Sequence, residues 1–192
     1  IDLNSINKTY LWKIKIKKED KLGKNLTLTG MMGVGKSTIG KILAKNLNYN
    51  FVDIDTLIET KEGSSINVIF RNKSESYFRK IENNITQIEL KKINSVISLG
   101  GGAFLNKMIR KSVKKLSKSF WLDVPLEELI KRLRNSKKRP LLFKKNLNET
   151  VKKIYFERKK IYNEADYRIK CGGLKSKEIA EKILNLYEKS GS

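Results

Sequence analysis

The sequence predicts an α/β protein: a three-layer sandwich in which helices cover both faces of a five-stranded parallel sheet. From Leu26 onward, short apolar runs alternate with longer amphipathic stretches, which is the pattern of βαβ units. The chain has 192 residues, a length that suits one domain. Its composition, 39% hydrophobic and 32% charged, excludes both a disordered chain and a membrane protein.

Each expected strand is a short apolar run, and each expected helix is a longer stretch with apolar residues at helical spacing, such as Ile179 and Ile183. Strands are predicted at 26–29, 51–53, 96–99, 119–122 and 167–169. Helices are predicted at 36–47, 55–62, 75–93, 104–116, 126–134, 148–163 and 176–189. Pro125 stands where a helix can begin, whereas Pro140 lies in a polar stretch that reads as a loop.

Residues 1–24 form a lysine-rich segment without a helical or strand period, so we expect an N-terminal extension followed by a single domain over 25–192. The net charge of +22 suggests an anionic partner such as nucleic acid. However, only eight of the 42 basic residues are arginines, and the lysines are spread over every segment. Such a distribution is typical of a solvated surface.

Histidine is absent and Cys171 is the single cysteine, which excludes an internal disulfide and the common zinc-site patterns. No apolar window approaches the roughly 18 residues of a spanning helix, so no membrane partner is expected. A reducing compartment, the cytoplasm, is the predicted location.

The most specific motif, Gly30-Met-Met-Gly-Val-Gly-Lys-Ser37, fits the phosphate-loop pattern G-x-x-x-x-G-K-[ST] between a predicted strand and a predicted helix. Its glycines let the backbone curl so that successive N–H groups point at phosphate oxygens. Lys36 adds a positive charge for the β and γ phosphates, and Ser37 offers a hydroxyl to Mg²⁺.

Asp53 and Asp55 end the next predicted strand, where both carboxylates can face the crevice at the strand's carboxyl end. One can then hold metal-bound water while the other orients a hydroxyl. On local grounds, Asp55 as the N-cap of the following helix is an equal alternative.

Gly100-Gly101-Gly102 follows a third apolar strand and suggests that a ligand approaches the backbone closely, with a loose turn as the alternative. Three arginines have informative neighbours, in Phe78-Arg79-x-x-Glu82, Arg139-Pro140 and Glu157-Arg158-x-x-x-Tyr162. For each arginine taken alone, a surface salt bridge is the simpler interpretation.

Five blocks occur in a specific order: GMMGVGKST, DIDTLIE, SINVIF followed by FRKIE, SLGGGA, and RPLL followed by ERKKIY. This series resembles the shikimate kinase family, which has a nucleoside-monophosphate-kinase-like phosphate-loop fold, from about residue 25 to the C-terminal helix. The order D-x-D, F-R-x-x-E, G-G-G distinguishes it from gluconate kinase and adenylate kinase. The resemblance implies that ATP, with Mg²⁺, phosphorylates the 3-hydroxyl of shikimate to give shikimate 3-phosphate and ADP, in aromatic amino acid synthesis through chorismate.

The resemblance also implies roles for individual residues. Asp55 would orient the attacking hydroxyl or accept its proton, Arg79 and Arg158 would clamp the substrate carboxylate, and Arg132 would pack on adenine. Lys36, Asp55 and Arg139 would be catalytic, with Arg139 in a lid at about 135–148. The implied nucleotide contacts are Gly30, Gly33, Val34, Gly35, Lys36, Ser37, Thr38, Arg132 and Arg139. The implied shikimate contacts are Asp55, Arg79, Glu82, Gly101, Gly102 and Arg158, and the implied magnesium ligands are Ser37 and Asp53.

Phe70 and Phe78 would form an apolar wall beside the substrate. A monomer that binds shikimate and no nucleic acid is expected. The chain departs from the family pattern at Ser74-Glu75, where Gly-Glu is frequent, and in its lysine-rich lid.

Three other functions fit parts of the sequence. A gluconate or other polyol kinase would share the phosphate loop but would not need two arginines directed at a carboxylate. A nucleic-acid-binding ATPase would use the positive charge, and its hydrolysis would depend steeply on salt. A catalytically silent relative would bind ligand for regulation, although Lys36, Ser37, Asp53 and Asp55 are all intact.

Overall fold

The structure is a computed structural model that describes residues 24–134 and 146–190. It contains five strands, all of which the sequence predicted to within two residues at each end. They are β1 (Asn25–Thr29), β2 (Asn50–Asp53), β3 (Ser95–Ser98), β4 (Ser117–Asp123) and β5 (Tyr167–Lys170).

Eight α-helices lie in the described ranges. They are α1 (Lys36–Leu47), α2 (Ile54–Glu62), α3 (Ile66–Lys73), α4 (Glu75–Leu90), α5 (Lys107–Leu116), α6 (Leu126–Arg134), α7 (Leu147–Tyr162) and α8 (Ser176–Lys189). A 3₁₀ turn at Ala103–Leu105 precedes α5, so the helix predicted at 104–116 is divided in two. Pro125 lies directly before α6, as expected. None of the helices in these ranges is long and apolar enough to cross a membrane.

The strands form one sheet in the order β2-β3-β1-β4-β5, and every neighbouring pair is parallel. The chain moves from β1 outward to β2 on one side, then returns through β3 and crosses to β4 and β5. Because parallel crossovers are right-handed, connections that run in opposite directions place their helices on opposite faces. The predicted three-layer α/β sandwich is therefore confirmed.

The central strand β1 is the most protected part of the sheet, with all five residues buried. Leu26 and Leu28 contribute to the apolar core. Thr27 donates a hydrogen bond of 2.8 Å to the Ser117 hydroxyl of β4, which in turn donates to the Val113 carbonyl of α5 at 3.0 Å. These two buried hydroxyls are thus paired and link two strands to a helix, whereas the buried Thr29 hydroxyl of β1 has no partner among the described residues.

This topology positions the predicted site. The phosphate loop follows β1, Asp53 ends β2, and the triple glycine follows β3, and these three strands are neighbours in the sheet. In open parallel sheets, ligands bind outside the carboxyl ends of the strands, where the strand order reverses. The fold therefore brings the three motifs to one edge.

Helix α3 was not predicted from the sequence. Its apolar residues Ile66, Ile69 and Phe70 have helical spacing, but the helix is short and only Ile69 is buried. Its first turn is capped from outside, since Glu59 of α2 accepts a hydrogen bond of 3.0 Å from the Ile66 amide. Ser65 at the N-cap position was an available start signal, but its side chain makes no capping bond and the cap comes from another helix.

Ser74, between α3 and α4, has a strained backbone, with φ 89° and ψ 161°. Only glycine adopts this region readily, and other residues pay about 1–3 kcal/mol there. The Ser74 hydroxyl offsets part of this cost because it accepts a bond of 3.4 Å from the Tyr77 amide at the start of α4. Ser74 therefore has a backbone conformation typical of glycine, and its hydroxyl adds a weak N-terminal cap to α4.

Replacing Ser74 by glycine should stabilise the protein by about 1 kcal/mol, because the relief of backbone strain exceeds the few tenths lost when glycine replaces a capping serine. Ser74→Ala is the matched control, since it removes the hydroxyl but keeps the Cβ atom, and it should destabilise by about 1 kcal/mol. Urea unfolding of the three proteins measures both changes. Equal destabilisation in both variants would show that Ser74 is not strained.

Candidate active site

The phosphate loop has the curled backbone that its glycines predicted. Gly30, Gly33 and Gly35 have φ angles of 134°, 78° and 95°, and α1 begins directly after the loop at Lys36. The Lys36 ammonium lies within the loop, donating bonds of 3.0 Å to the carbonyls of Gly30 and Met31. This arrangement concentrates backbone N–H groups, the positive end of a helix and one lysine in the same place, which suits a polyphosphate.

Asp53 and Ser37 meet at the start of α1. The Ser37 hydroxyl donates to Asp53 Oδ2 at 2.5 Å, so β2 and the phosphate loop are in direct contact. A hydroxyl and a carboxylate are hard oxygen donors of the kind that Mg²⁺ prefers, and this ion usually takes few protein ligands besides phosphate and water. No larger group of three or more Asp, Glu, Cys or His side chains suited to a metal occurs among the described residues. The donor set therefore fits Mg²⁺ bound together with a nucleotide.

Asp55 lies in the helix predicted at 55–62 and not on the strand. The strand ends at Asp53, whose Oδ1 accepts a bond of 3.3 Å from the Thr56 amide and so caps α2. Asp55 consequently stands in the first helical turn. Both the shared strand face and the N-cap role for Asp55 were wrong, because the cap lies two residues earlier than expected. The predicted role of Asp55 in orienting a hydroxyl depends instead on its position beside Gly100.

The triple glycine after β3 is where the predicted substrate residues meet. A Cβ atom built on Gly100 would lie 2.5 Å from Asp55 Oδ1 and 2.7 Å from Glu82 Oε1. Side chains from α2 and α4 therefore approach the Gly100 backbone more closely than any other residue type would allow. The groups that approach this segment are the protein's own carboxylates, and the approach of a ligand stays a prediction.

Arg79 lies against the next part of the same turn. A Cβ on Gly102 would be 2.7 Å from both terminal nitrogens of this guanidinium. Glu82 accepts from Arg79 Nη1 at 2.7 Å, and Glu75 accepts from Nη2 at 3.0 Å. Two carboxylates on the same helix thus fix the plane of the arginine fork.

Glu82 is almost completely buried, with 1% of its surface exposed, and its Oε1 has no hydrogen-bond partner among the described residues. Burial raises the pKa of its carboxyl above the usual value, while Arg79 acts in the opposite direction and the Asp55 carboxylate adds to the increase. An unpaired carboxylate oxygen beside the turn is costly unless a donor reaches it. Glu82 can therefore position Arg79, whereas its Oε1 is covered by protein atoms.

Arg158 enters from the other side, on α7. Its Nη1 donates to the Gly101 carbonyl at 2.9 Å and lies 3.8 Å from a Cβ built on Gly101. The two arginines are distant in sequence, yet both flank the same turn. The salt-bridge interpretation is confirmed for Arg79, which pairs with exposed Glu75 as well as with buried Glu82, whereas Arg158 donates to a backbone carbonyl.

The apolar wall also forms as expected. The rings of Phe70 and Phe78 lie 4.8 Å apart, and Phe78 is 3% exposed. The Arg79 guanidinium lies 5.1 Å from the Phe78 ring centroid, which adds a cation–π contact to its carboxylate partners. This packing further restricts the arginine.

The nucleotide side of the site includes Arg132 on α6. Its Nη1 donates to the Val34 carbonyl of the phosphate loop at 3.3 Å, and Glu128 accepts from its Nη2 at 2.5 Å. Thr38 lies in the exposed first turn of α1. Arg139 and most of the predicted lid fall outside the described residues.

Sequence reasoning assigned no role to Glu75 or Glu128, although each lies four residues before the arginine that it holds. That spacing places a carboxylate and a guanidinium on one face of a helix, so it was the available signal. Tyr162 was also left without a role; its contact with Gly101 is long-range, and spacing alone did not reveal it.

Comparison with known proteins identifies this arrangement. The family model "Shikimate kinase" matches residues 32–188. A shikimate kinase of Persephonella marina is 44% identical over 161 residues, covering 84% of this chain and 97% of the relative. One from Sulfurihydrogenibium is 45% identical over 161 residues, covering 84% and 96%.

The fold gives the same answer. The solved structure of shikimate kinase from Acinetobacter baumannii in complex with shikimate has a TM-score of 0.84 at 31% identity, covering 91% of this chain and 97% of that one. The family model covers the phosphate loop from Met32 onward, the triple glycine and both arginines of the turn. The chain belongs to the shikimate kinase family.

Proposed function

We propose that this chain transfers the γ-phosphoryl group of ATP to the 3-hydroxyl of shikimate in the cleft between the phosphate loop and the triple glycine. The observation that carries the assignment of residues is the convergence of Asp55, Arg79 and Arg158 on Gly100 to Gly102. One acid and two cations around a narrow turn suit a small polyhydroxylated carboxylate. Family membership supplies the reaction, and this geometry supports the roles.

The acceptor is held by the turn and its flanking side chains. Arg79 and Arg158 bind the carboxylate, since guanidinium forks match its two oxygens. Asp55, beside Gly100, accepts a hydrogen bond from the attacking hydroxyl and takes its proton as the new bond to phosphorus forms. Phosphoryl transfer requires little else from the acceptor side, because positioning supplies most of the rate.

The donor is held by the phosphate loop. Lys36 and the loop N–H groups bind the phosphates and stabilise the charge that develops on the transferring group. Bound Mg²⁺, held by Ser37 and through water by Asp53, would neutralise phosphate charge. Arg132 packs against adenine, and Arg139 is assigned from the family pattern alone. We also propose that the protein is a monomer and binds no nucleic acid.

Coupled measurement of ADP release, with and without shikimate, tests the function directly. We expect release that depends on shikimate and is lost in Lys36→Met. ADP release with gluconate in place of shikimate would indicate a polyol kinase. ADP release that increases when nucleic acid is added would indicate a nucleic-acid-binding ATPase. ADP release at the same rate with and without shikimate would contradict the proposal. No ADP release at all would indicate a catalytically silent relative.

The two aspartates should give different phenotypes. Asp55→Asn should lower kcat by a factor of about 10²–10⁴, because it removes the proton acceptor, while calorimetry should show ADP binding within about two-fold of the unaltered protein. Asp53→Asn is the matched control, and it should instead raise the Mg²⁺ concentration needed for half-maximal rate. The reverse pattern would show that the roles are exchanged.

Gly102→Ala should raise KM for shikimate about ten-fold, equivalent to about 1.4 kcal/mol, because the new methyl group displaces Arg79. Its φ of −103° suits alanine, so any loss of stability should come from the disturbed Arg79–Glu82 pair and not from backbone strain. Gly63→Ala is the opposite control: its Cβ meets nothing within 4 Å, but its φ of 61° is strained, so it should lose stability and keep normal kinetics. Steady-state kinetics and urea unfolding measure both variants. An unchanged KM in Gly102→Ala would show that Arg79 does not lie against Gly102.

A further inference from the structure

Tyr162, the last residue of α7, lies where three parts of the active site meet. Its side chain is 1% exposed, and its ring packs against Trp121 of β4 with 6.1 Å between ring centroids. The hydroxyl donates to the Gly101 carbonyl, and the Met31 sulfur of the phosphate loop lies 3.9 Å away. A single buried hydroxyl thus contacts the glycine turn and borders the phosphate loop.

The Gly101 carbonyl has a second donor from the same helix. Arg158, one turn before Tyr162, donates to it at 2.9 Å, and residues four apart share a helix face. A carbonyl oxygen has two lone pairs, and here both have donors. The turn is therefore attached to α7 at two points, and the orientation of Arg158 depends on where this carbonyl lies.

Gly101 also lies against the phosphate-loop backbone. A Cβ built on it would be 3.3 Å from the Met32 amide nitrogen and 3.8 Å from the Met31 carbonyl carbon. A shift of the turn would therefore change its spacing from the loop that holds the donor phosphates. Errors of about 1 Å in such spacing can lower a rate by about 10²-fold.

Burial raises the pKa of the Tyr162 hydroxyl above its usual value, although the Arg158 charge acts in the opposite direction. The hydroxyl therefore stays protonated throughout the physiological range. Its proton is available to the Gly101 carbonyl at every pH at which the enzyme would work.

We propose that Tyr162 is a positioning residue for phosphoryl transfer: its hydroxyl fixes the Gly101 carbonyl, and through it the Arg158 fork and the spacing between acceptor and donor. The inference rests on the proposed function, in which Arg158 binds the acceptor carboxylate. Tyr162 touches neither substrate itself. Its hydroxyl acts through the turn and lies beside the Arg158 guanidinium, whereas its ring belongs to the core.

Tyr162→Phe tests this role because it keeps the ring and removes only the hydroxyl. We expect kcat/KM for shikimate to fall about ten-fold or more, with KM for ATP within about two-fold of the unaltered value. Tyr155→Phe is the matched control on the same helix, where the lost hydroxyl donates to Asp123 at 3.1 Å and not to the glycine turn. It should keep both kinetic constants and show a comparable loss of thermal stability.

A double-mutant cycle with Arg158→Lys gives a second readout. If Tyr162 acts through Arg158, its removal should cost much less once Arg158 is already replaced, so the two effects should be strongly non-additive. Additive effects would overturn the inference. The same cycle built with Tyr155→Phe should be additive.

Hydrogen exchange separates this inference from the proposed function. Amides of residues 99–105 should exchange faster in Tyr162→Phe than in Tyr155→Phe, whatever the substrate is. Equal exchange, or shikimate turnover by Tyr162→Phe equal to that of the unaltered protein, would overturn the positioning role alone. An unaltered protein without shikimate-dependent ADP release would overturn the function itself, and this role with it.

Discussion

The active site depends on close approach to the backbone at Gly100 to Gly102. Each of these glycines faces a different part of the site. The side chains concerned are Asp55 and Glu82 at the first glycine, Arg158 at the second and Arg79 at the third. Because no Cβ atom intervenes, charges from three helices come together around one short segment. The remaining helices and strands hold these side chains in position.

Bringing these charges together has an electrostatic cost that the structure offsets by pairing. A buried carboxylate such as Glu82 is stable only with a close cation, and Arg79 supplies it at 2.7 Å. The pair is weak evidence for stability, since desolvation consumes most of its attraction. Its value is geometric: Arg79 is held by Glu82, Glu75 and the Phe78 ring before any ligand binds, so little side-chain entropy remains to be lost on binding.

Much of this could be predicted from the sequence because the signals are local. Apolar runs identified all five strands, and the phosphate loop has a fixed spacing. The failures have a common cause in contacts made over distance. Helix α3 receives its cap from Glu59, Asp55 was misplaced because Asp53 caps α2, and the pairing of Arg79 and Arg158 through one turn depends on strand order. Ser74 shows a further limit, since a serine can adopt a glycine conformation when the surrounding helices require it.

The donor and acceptor sides of the cleft are also stabilised differently. The phosphate loop extends from β1, a fully buried central strand. On the acceptor side, α3 buries only Ile69, and it is tied to its neighbours by the Glu62–Lys73 ion pair and the Tyr77 hydroxyl. Exposed pairs of this kind contribute little to stability, so α3 is held mainly by Ile69 and by the partly buried Ile66 and Phe70. The triple glycine also follows a fully buried strand, β3, so both glycine-rich motifs extend from protected strands, whereas α3 beside them is held largely at the surface.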